Sequence, residues 1–468
     1  MERNRALKKF LPVTLSILLP FPLLLTPASA SAQSTDYSKS ETISVALSEQ
    51  GATSLQLGDE IDSKHFSTEY TLDSPDAEGP DLINSPEELD KERQMVSTSQ
   101  EPVAGERPLT TSSDDLLAEC LERPDEDFGQ DGRLPWVRDR YNSCYRNVVG
   151  ALVHDDKGNL VSFANLWIAT TIQASEDSRK LSVRQHVHDT EIQGAYFLVP
   201  EARFEGFCFD AVNPGEIDSC TDSTGIQTRS FYQLQNGQDV TWEVDSPLGA
   251  GTGVEEVVVG NFRASVQIID EYRDAYFDWV SAASGSARFD SASYLGSKFP
   301  NHGTVLLSRI PHMELDVLDP EVRENVTHIM DALSVPEDTV PDNPLKNIPG
   351  YSPHNPLHRL YHDEERRTDN RGTAIEVCRD NWPNYPDNDQ DCDEFPFAST
   401  YEGAAQALYE DVPPKNFSAR PIDSLDNQKF GSKIGAFYGS QRILDWDENL
   451  DNEASVGEWH EGFYLWVN

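Results

Sequence analysis

The stretch Cys392-Asp-Glu-Phe-Pro-Phe-Ala-Ser-Thr-Tyr-Glu-Gly403 sets Asp393, Glu394 and Glu402 among aromatic and small residues. Carboxylates interleaved with Phe395, Phe397 and Ala398 are held beside a packed surface, where they suit a metal site or acid–base work. Upstream, Leu357-His-Arg-Leu360 supplies His358, whose imidazole titrates near neutrality, and Arg359, whose planar guanidinium matches a phosphate. Such a His–Arg pair is ordinary on a helix surface, so its meaning depends on what it meets in space. Around these motifs the periodicity is mixed. Val322, Val326, Ile329, Met330 and Leu333 recur at helical spacing within Glu321–Leu333, Val305–Ile310 reads as a buried strand, and Gly462–Val467 reads as a terminal strand. This end of the chain, 291–468, is therefore expected to be a small α+β domain.

Further upstream the character changes. Between Asn147 and Ile269 runs of Val, Ile, Phe and Thr alternate with turn formers such as Asp155-Asp-Lys-Gly158 and Asn236-Gly237. Val148–Val153, Val161–Ile172, Ala195–Val199, Thr228–Leu234, Val240–Val244, Val254–Val259 and Phe262–Ile269 read as strands, which predicts a β-rich, sandwich-like accessory domain over 114–290. Leu116–Leu121 reads as a short helix before it, and the Ser/Ala/Gly-rich segment Ser281–Ser293 as the connection after it. The Gly-x-Gly of Gly249–Gly253 lacks the lysine of a phosphate loop and opens no helix, so it reads as a hairpin or linker. His186 and His188 would share a strand face but have no third ligand in sequence.

The N-terminal residues do not read as fold. Arg3, Arg5, Lys8 and Lys9 precede an apolar run, Leu11–Leu25, interrupted by Pro12, Pro20 and Pro22 and followed by Ala28-Ser-Ala-Ser-Ala32. That is the pattern of a signal peptide, 1–32, and predicts a secreted, extracellular protein. No later stretch is apolar enough to span a bilayer, so no stable membrane association is expected. Residues 33–113 are rich in Ser, Thr, Asp, Glu and Pro and read as a disordered acidic linker or pro-segment, with weak strand alternation near Ile43–Leu57. The formal charge of −44 opposes nonspecific binding to polyanions and anionic membranes. The six cysteines suit disulfides in an exported chain, with proximity favouring 120 with 144, 208 with 220 and 378 with 392.

Two acidic runs have the look of calcium loops. Asp387-x-Asp-x-Asp-x-Asp393 has Cys392 where an EF-hand needs glycine. In the second, Asp447, Asn449, Asp451 and Glu458 fall at loop positions 1, 3, 5 and 12, with Asn452 replacing the turn glycine, so Ca2+ binding is an expectation there.

Taken together, the Asp393-Glu394-Phe-Pro block with Glu402-Gly403, then Phe417-Ser-Ala-Arg-Pro-Ile422, Asp426-Asn427 before Gly431-Ser432, Arg442-Ile-Leu-Asp445 and Phe463-Tyr464, resemble secreted deoxyribonucleases of the NucA/NucB type. The resemblance extends back through Leu357–Leu360 and more loosely to Phe299-Pro300 and His328–Ala332; the first 290 or so residues lie outside it. It implies a nuclease domain acting on DNA with a divalent metal, Mg2+ or Mn2+. Glu402 matches an essential acid, and Asp393-Glu394 and Asp426-Asn427 match further site positions, giving His358, Arg359, Asp393, Glu394 and Glu402 as catalytic candidates. Glu402, His358, Asp426 and Asn427 are the metal candidates. Where short relatives carry an Asp-Arg pair this chain has His358-Arg359, so His358 stands as base or as ligand. The reading is a secreted, metal-dependent, sequence-nonspecific endodeoxyribonuclease. The alternatives are a calcium-stabilised extracellular surface or adhesion protein with an inactive nuclease-like domain, and glycan hydrolysis by a carboxylate pair.

Overall fold

A computed structural model describes residues 42–47, 69–71, 111–129, 134–210, 219–222, 225–446 and 462–468. The expected signal peptide, most of the acidic leader, and the calcium candidates Asp447, Asn449, Asp451 and Glu458 lie outside the described residues.

The β-rich part is built from two facing antiparallel sheets. The first comprises β1 (Thr42–Leu47), β2 (Glu69–Thr71), β3 (Trp136–Val137), β4 (Asn142–His154), β5 (Leu160–Ala174), β6 (Lys180–Gly194), β8 (Thr221–Asp222) and β10 (Val240–Asp245), ordered β2-β1-β4-β5-β6-β10-β8 with β3 also on β4. The second is ordered β13-β12-β11-β7-β9, with β7 Pro200–Asp210, β9 Gln227–Ser230, β11 Val258–Asp270, β12 Ala275–Asp290 and β13 Gly303–Leu306. Inward residues of both sheets, among them Val149, Leu166 and Ile168 from one and Phe204, Val266 and Phe277 from the other, form one buried cluster. This is the packing that alternating patterning produces when each sheet has one apolar face. Helix α1 (Ser113–Glu122) starts at Ser112, whose hydroxyl accepts the Asp115 N–H, and is tied to β4 by Cys120–Cys144.

Several sequence expectations change here. Ser281–Ser293 is not a connection: most of it is the second half of β12, paired with β11 along its length. Its small residues permit close approach, since a Cβ on Gly285 would meet the Phe262 ring at 2.9 Å. The expected strand 228–234 ends at Ser230, because Ser230 and Gln233 form a reciprocal capping box that starts the short helix α2 (Phe231–Gln235). The expected strand Val254–Val259 begins only at Val258. Part of the leader is strand, with β1 paired antiparallel to β4 from Ile43↔Val153 to Leu47↔Val149. His186 bonds Asp239 at 2.6 Å, and the β5–β6 register skips His188 as a bulge.

The C-terminal part is α+β. A three-stranded sheet places β18 (Gly462–Val467) between β14 (His312–Leu315), parallel to it, and β15 (Leu357–His358), antiparallel. Helices α3 (Arg323–Ser334) and α6 (Ser424–Ser440) enclose its core, with Val326, Ile329, Phe395, Phe430, Phe437 and Phe463 packed together. A hairpin of β16 (Gln390–Phe395) and β17 (Ser418–Asp423), whose connection carries the single turn α5 (Gln406–Tyr409), packs on α4 (Glu364–Asn381), and Cys378–Cys392 joins helix to hairpin. With Cys208–Cys220, the three disulfides follow the nearest-neighbour pairing expected from sequence. Among the described residues no helix is long and apolar enough to cross a membrane.

Candidate active site

His358 sits at the end of β15, and the following residues run against the loop that leaves β16. Leu360 N–H donates to Ser399 O (2.8 Å) and Tyr401 N–H to His358 O (3.0 Å), which sets Glu402 beside the imidazole. His358 Nδ1 lies 2.7 Å from Glu402 Oε1, and the His358 backbone N–H donates to Glu402 Oε2 at 3.0 Å. A carboxylate only accepts, so the Nδ1 proton belongs to the imidazole, and proton transfer or ligation by His358 runs through Nε2. The Trp446 ring lies 4.8 Å from the imidazole and 5.2 Å from the ring of Tyr401.

The loop carrying Glu402 is pinned from α4. Buried Asn370 donates to Ala398 O (3.2 Å) and Thr400 O (3.0 Å) and accepts the Ala405 N–H (2.9 Å). A Cβ on Gly403 would sit 2.3 Å from the Asn370 side chain, so glycine is required at that position by close approach. Arg366 holds the next turn through Tyr401 O and Glu410. The residues most responsible for placing Glu402 are thus polar ones on a neighbouring helix.

The Asp–Glu pair is split by strand alternation. Asp393 points to α3, where His328 Nδ1 lies 2.6 Å from one oxygen and Asn325 Nδ2 donates to the other at 3.1 Å. His328 Nε2 then meets Ser418 Oγ at 2.7 Å, and all of these side chains are buried. Asp393 is therefore the end of a sealed Ser–His–Asp array, not a partner of His358. Glu394 faces the other way, with Arg371 Nη1 at 3.9 Å. Burial, reinforced by Asp393, pushes the Glu394 carboxyl up to about 8 against the opposing pull of Arg371.

Two expected roles are redirected. Arg359 does not reach outward with His358: its guanidinium lies over Tyr294, Tyr361 and Tyr438 at 5.1, 5.2 and 4.6 Å and donates to Ile443 O at 2.5 Å. Burial holds its pKa below the ordinary arginine value. Asp426 caps α3 from outside, accepting the Glu324 N–H (2.9 Å) and the Asn325 N–H (3.1 Å), a role for which the apolar side chain of Val322 offers no acceptor. Burial raises its pKa above the usual carboxylate range. Asn427 follows it on α6.

Among the described residues no three His, Cys, Asp or Glu groups gather as a metal cluster. The donors present fit a cation such as Mg2+ that keeps most of its water and takes one or two protein ligands. Both Glu402 oxygens are engaged by His358 and both Asp426 oxygens by α3, so a cation would bind through a remaining carboxylate lone pair of Glu402 or through His358 Nε2.

An imidazole oriented by a carboxylate on a small α+β scaffold defines a candidate acid–base centre. Residues 355–448 match the family model Deoxyribonuclease NucA/NucB. The match includes His358, Glu394 and Glu402 and excludes the β-rich part and α3. No curated protein matches the chain.

Proposed function

We propose that this protein is a secreted, metal-dependent, sequence-nonspecific endodeoxyribonuclease that hydrolyses DNA phosphodiester bonds. The observation that carries the reading is the His358–Glu402 pair inside the family-matched segment. Glu402 fixes the imidazole with its proton on Nδ1, so Nε2 acts as the base that takes a proton from the attacking water. A divalent cation, Mg2+ or Mn2+, held at Glu402 would polarise a nonbridging phosphate oxygen. Of the two expected sources of the cationic role, Arg359 or an arginine of the 366–371 group, the second is retained, as Arg371, which is exposed on α4 beside Glu394. Tyr401 and Trp446, both partly exposed next to His358, present ring faces on which bases stack without regard to sequence. The charge of −44 makes binding weak and strongly dependent on salt and divalent cations.

The test is cleavage of supercoiled plasmid by the purified chain in Mg2+, Mn2+ and Ca2+ across a salt series. The expected result is nicked and then linear DNA with at least one cation; DNA left intact under every condition overturns the reading.

A further inference from the structure

The wall behind His358 is built partly by residues outside the family-matched segment. Two residues beyond the end of α6 stands Arg442, a non-glycine residue at φ 46°, in the left-handed region that disfavours a side chain. Its side chain is fully buried and held by Asp290 at the end of β12: Nε donates to Oδ2 at 3.1 Å and Nη2 pairs with Oδ1. Arg288 Nη2 donates to the same carboxylate (3.0 Å) and to Arg442 O (2.6 Å). A Cβ on Gly303 would come within 2.4 Å of the Arg442 side chain, so the β-rich part also leaves the space Arg442 occupies.

From this anchor the chain turns back over the site. Ile443 O accepts from Arg359, Asp445 N–H donates to Tyr294 Oη at 2.7 Å, and Asp445 Oδ1 accepts the Tyr361 N–H at 2.6 Å. Tyr294 also stacks on Tyr361 with centroids 4.0 Å apart. Trp446 N–H then donates to Arg359 O at 3.0 Å, which lays the indole against His358.

We propose that Asp290 and Tyr294 are positioning residues for His358: the β-rich part, through them, holds 442–446 in the path that packs Trp446 on the imidazole. The β-rich part is then a structural component of the active centre and not a detachable accessory. The activity arm of the test rests on the nuclease reading; the spectroscopic arm does not.

The experiment uses the full chain with Tyr294→Leu, Tyr294→Phe and Asp290→Asn, and Val266→Ala in the sandwich core as a variant that lowers stability away from the loop. Melting temperature, kcat, KM for plasmid DNA and the His358 Cε1 proton resonance are recorded for each. Tyr294→Leu and Asp290→Asn are expected to lower kcat by about 10–100-fold with KM little changed, as misplacement of a reacting group does. The same variants are expected to move the His358 resonance as the Trp446 ring current is lost. Val266→Ala is expected to melt earlier with kcat and resonance unchanged. If Tyr294→Leu does not fold, Tyr294→Phe decides, because it keeps the stack and removes only the acceptor for Asp445 N–H; a several-fold loss of kcat with a shifted resonance is expected. Wild-type kcat and an unmoved His358 resonance in the folded variants overturn the proposal. A wild-type chain that cleaves no DNA overturns the nuclease reading alone, and the resonance then decides the positioning claim.

Discussion

Two histidines in the C-terminal part each lie against a carboxylate of that same part at nearly the same distance, His328 with Asp393 at 2.6 Å and His358 with Glu402 at 2.7 Å. Their surroundings differ. His328 and Asp393 side chains are 1% and 8% exposed, and the second imidazole nitrogen is bonded to buried Ser418. His358 and Glu402 are 13% and 12% exposed and sit next to partly exposed aromatic rings. The contact alone therefore does not distinguish a working pair from a structural one. Access does: a reactant can approach only the pair that is not enclosed by α3 and the β16–β17 hairpin.

That contrast is open to attack by substitution, and the largest effect is expected at Glu402. Glu402→Gln removes the negative charge and one of the two acceptor oxygens that hold His358 and should lower the rate of DNA cleavage by about 10²–10⁴-fold, the usual contribution of general acid–base catalysis, while the melting temperature stays near wild type. His328→Ala should do the reverse. It leaves Asp393 buried with Asn325 as a donor but without the imidazole and should cost about 3–5 kcal/mol in urea unfolding, with activity falling only as the folded fraction falls.

Next in size is Glu394, whose carboxyl is pushed up to about 8 from an ordinary 4.5. The unfolded chain releases this proton near 4.5 while the fold retains it to about 8, so wild-type stability declines as pH rises between those values. Glu394→Gln should therefore be the more stable protein at pH 8 without divalent cations, by about 2–4 kcal/mol, and the difference should vanish near pH 4. Equal unfolding curves at pH 8 would show that Arg371 already neutralises the carboxylate. The smallest effect is expected from Arg371→Ala, about tenfold in kcat/KM with a shallower salt dependence, because an exposed cation contributes through screened attraction.

How legible this was in the sequence depends on which interactions are local. β4, β5, β10 and β11 are legible from their apolar runs and turn formers, whereas Ala195–Val199, expected as a strand, is the loop between β6 and β7, two strands that were not expected; the disulfide pairing followed from proximity, a short-range pattern. Ser281–Ser293 misled because small residues serve a flexible connection and a closely packed strand equally well, and only the Phe262 ring against Gly285 separates the two. Arg359 misled because its partners, Tyr294, Tyr438 and Ile443 O, are distant in sequence, and burial turned a phosphate-like donor into an aromatic-caged strut. The Ser–His–Asp array was invisible for the same reason, with Asp393 lying 65 positions and Ser418 90 positions from His328. Motif resemblance located Glu402, whereas alternation along β16 decided that Asp393 and Glu394 point in opposite directions.

The most direct measurement sets His358→Gln beside His328→Gln in single-turnover plasmid cleavage, each rate corrected for the folded fraction measured in the same buffer. The expected result is a loss of at least about 100-fold for His358→Gln and less than about tenfold for folded His328→Gln. A folded His358→Gln protein that cleaves at the wild-type rate, or a folded His328→Gln protein that is inactive, would contradict the assignment of His358–Glu402 as the working pair.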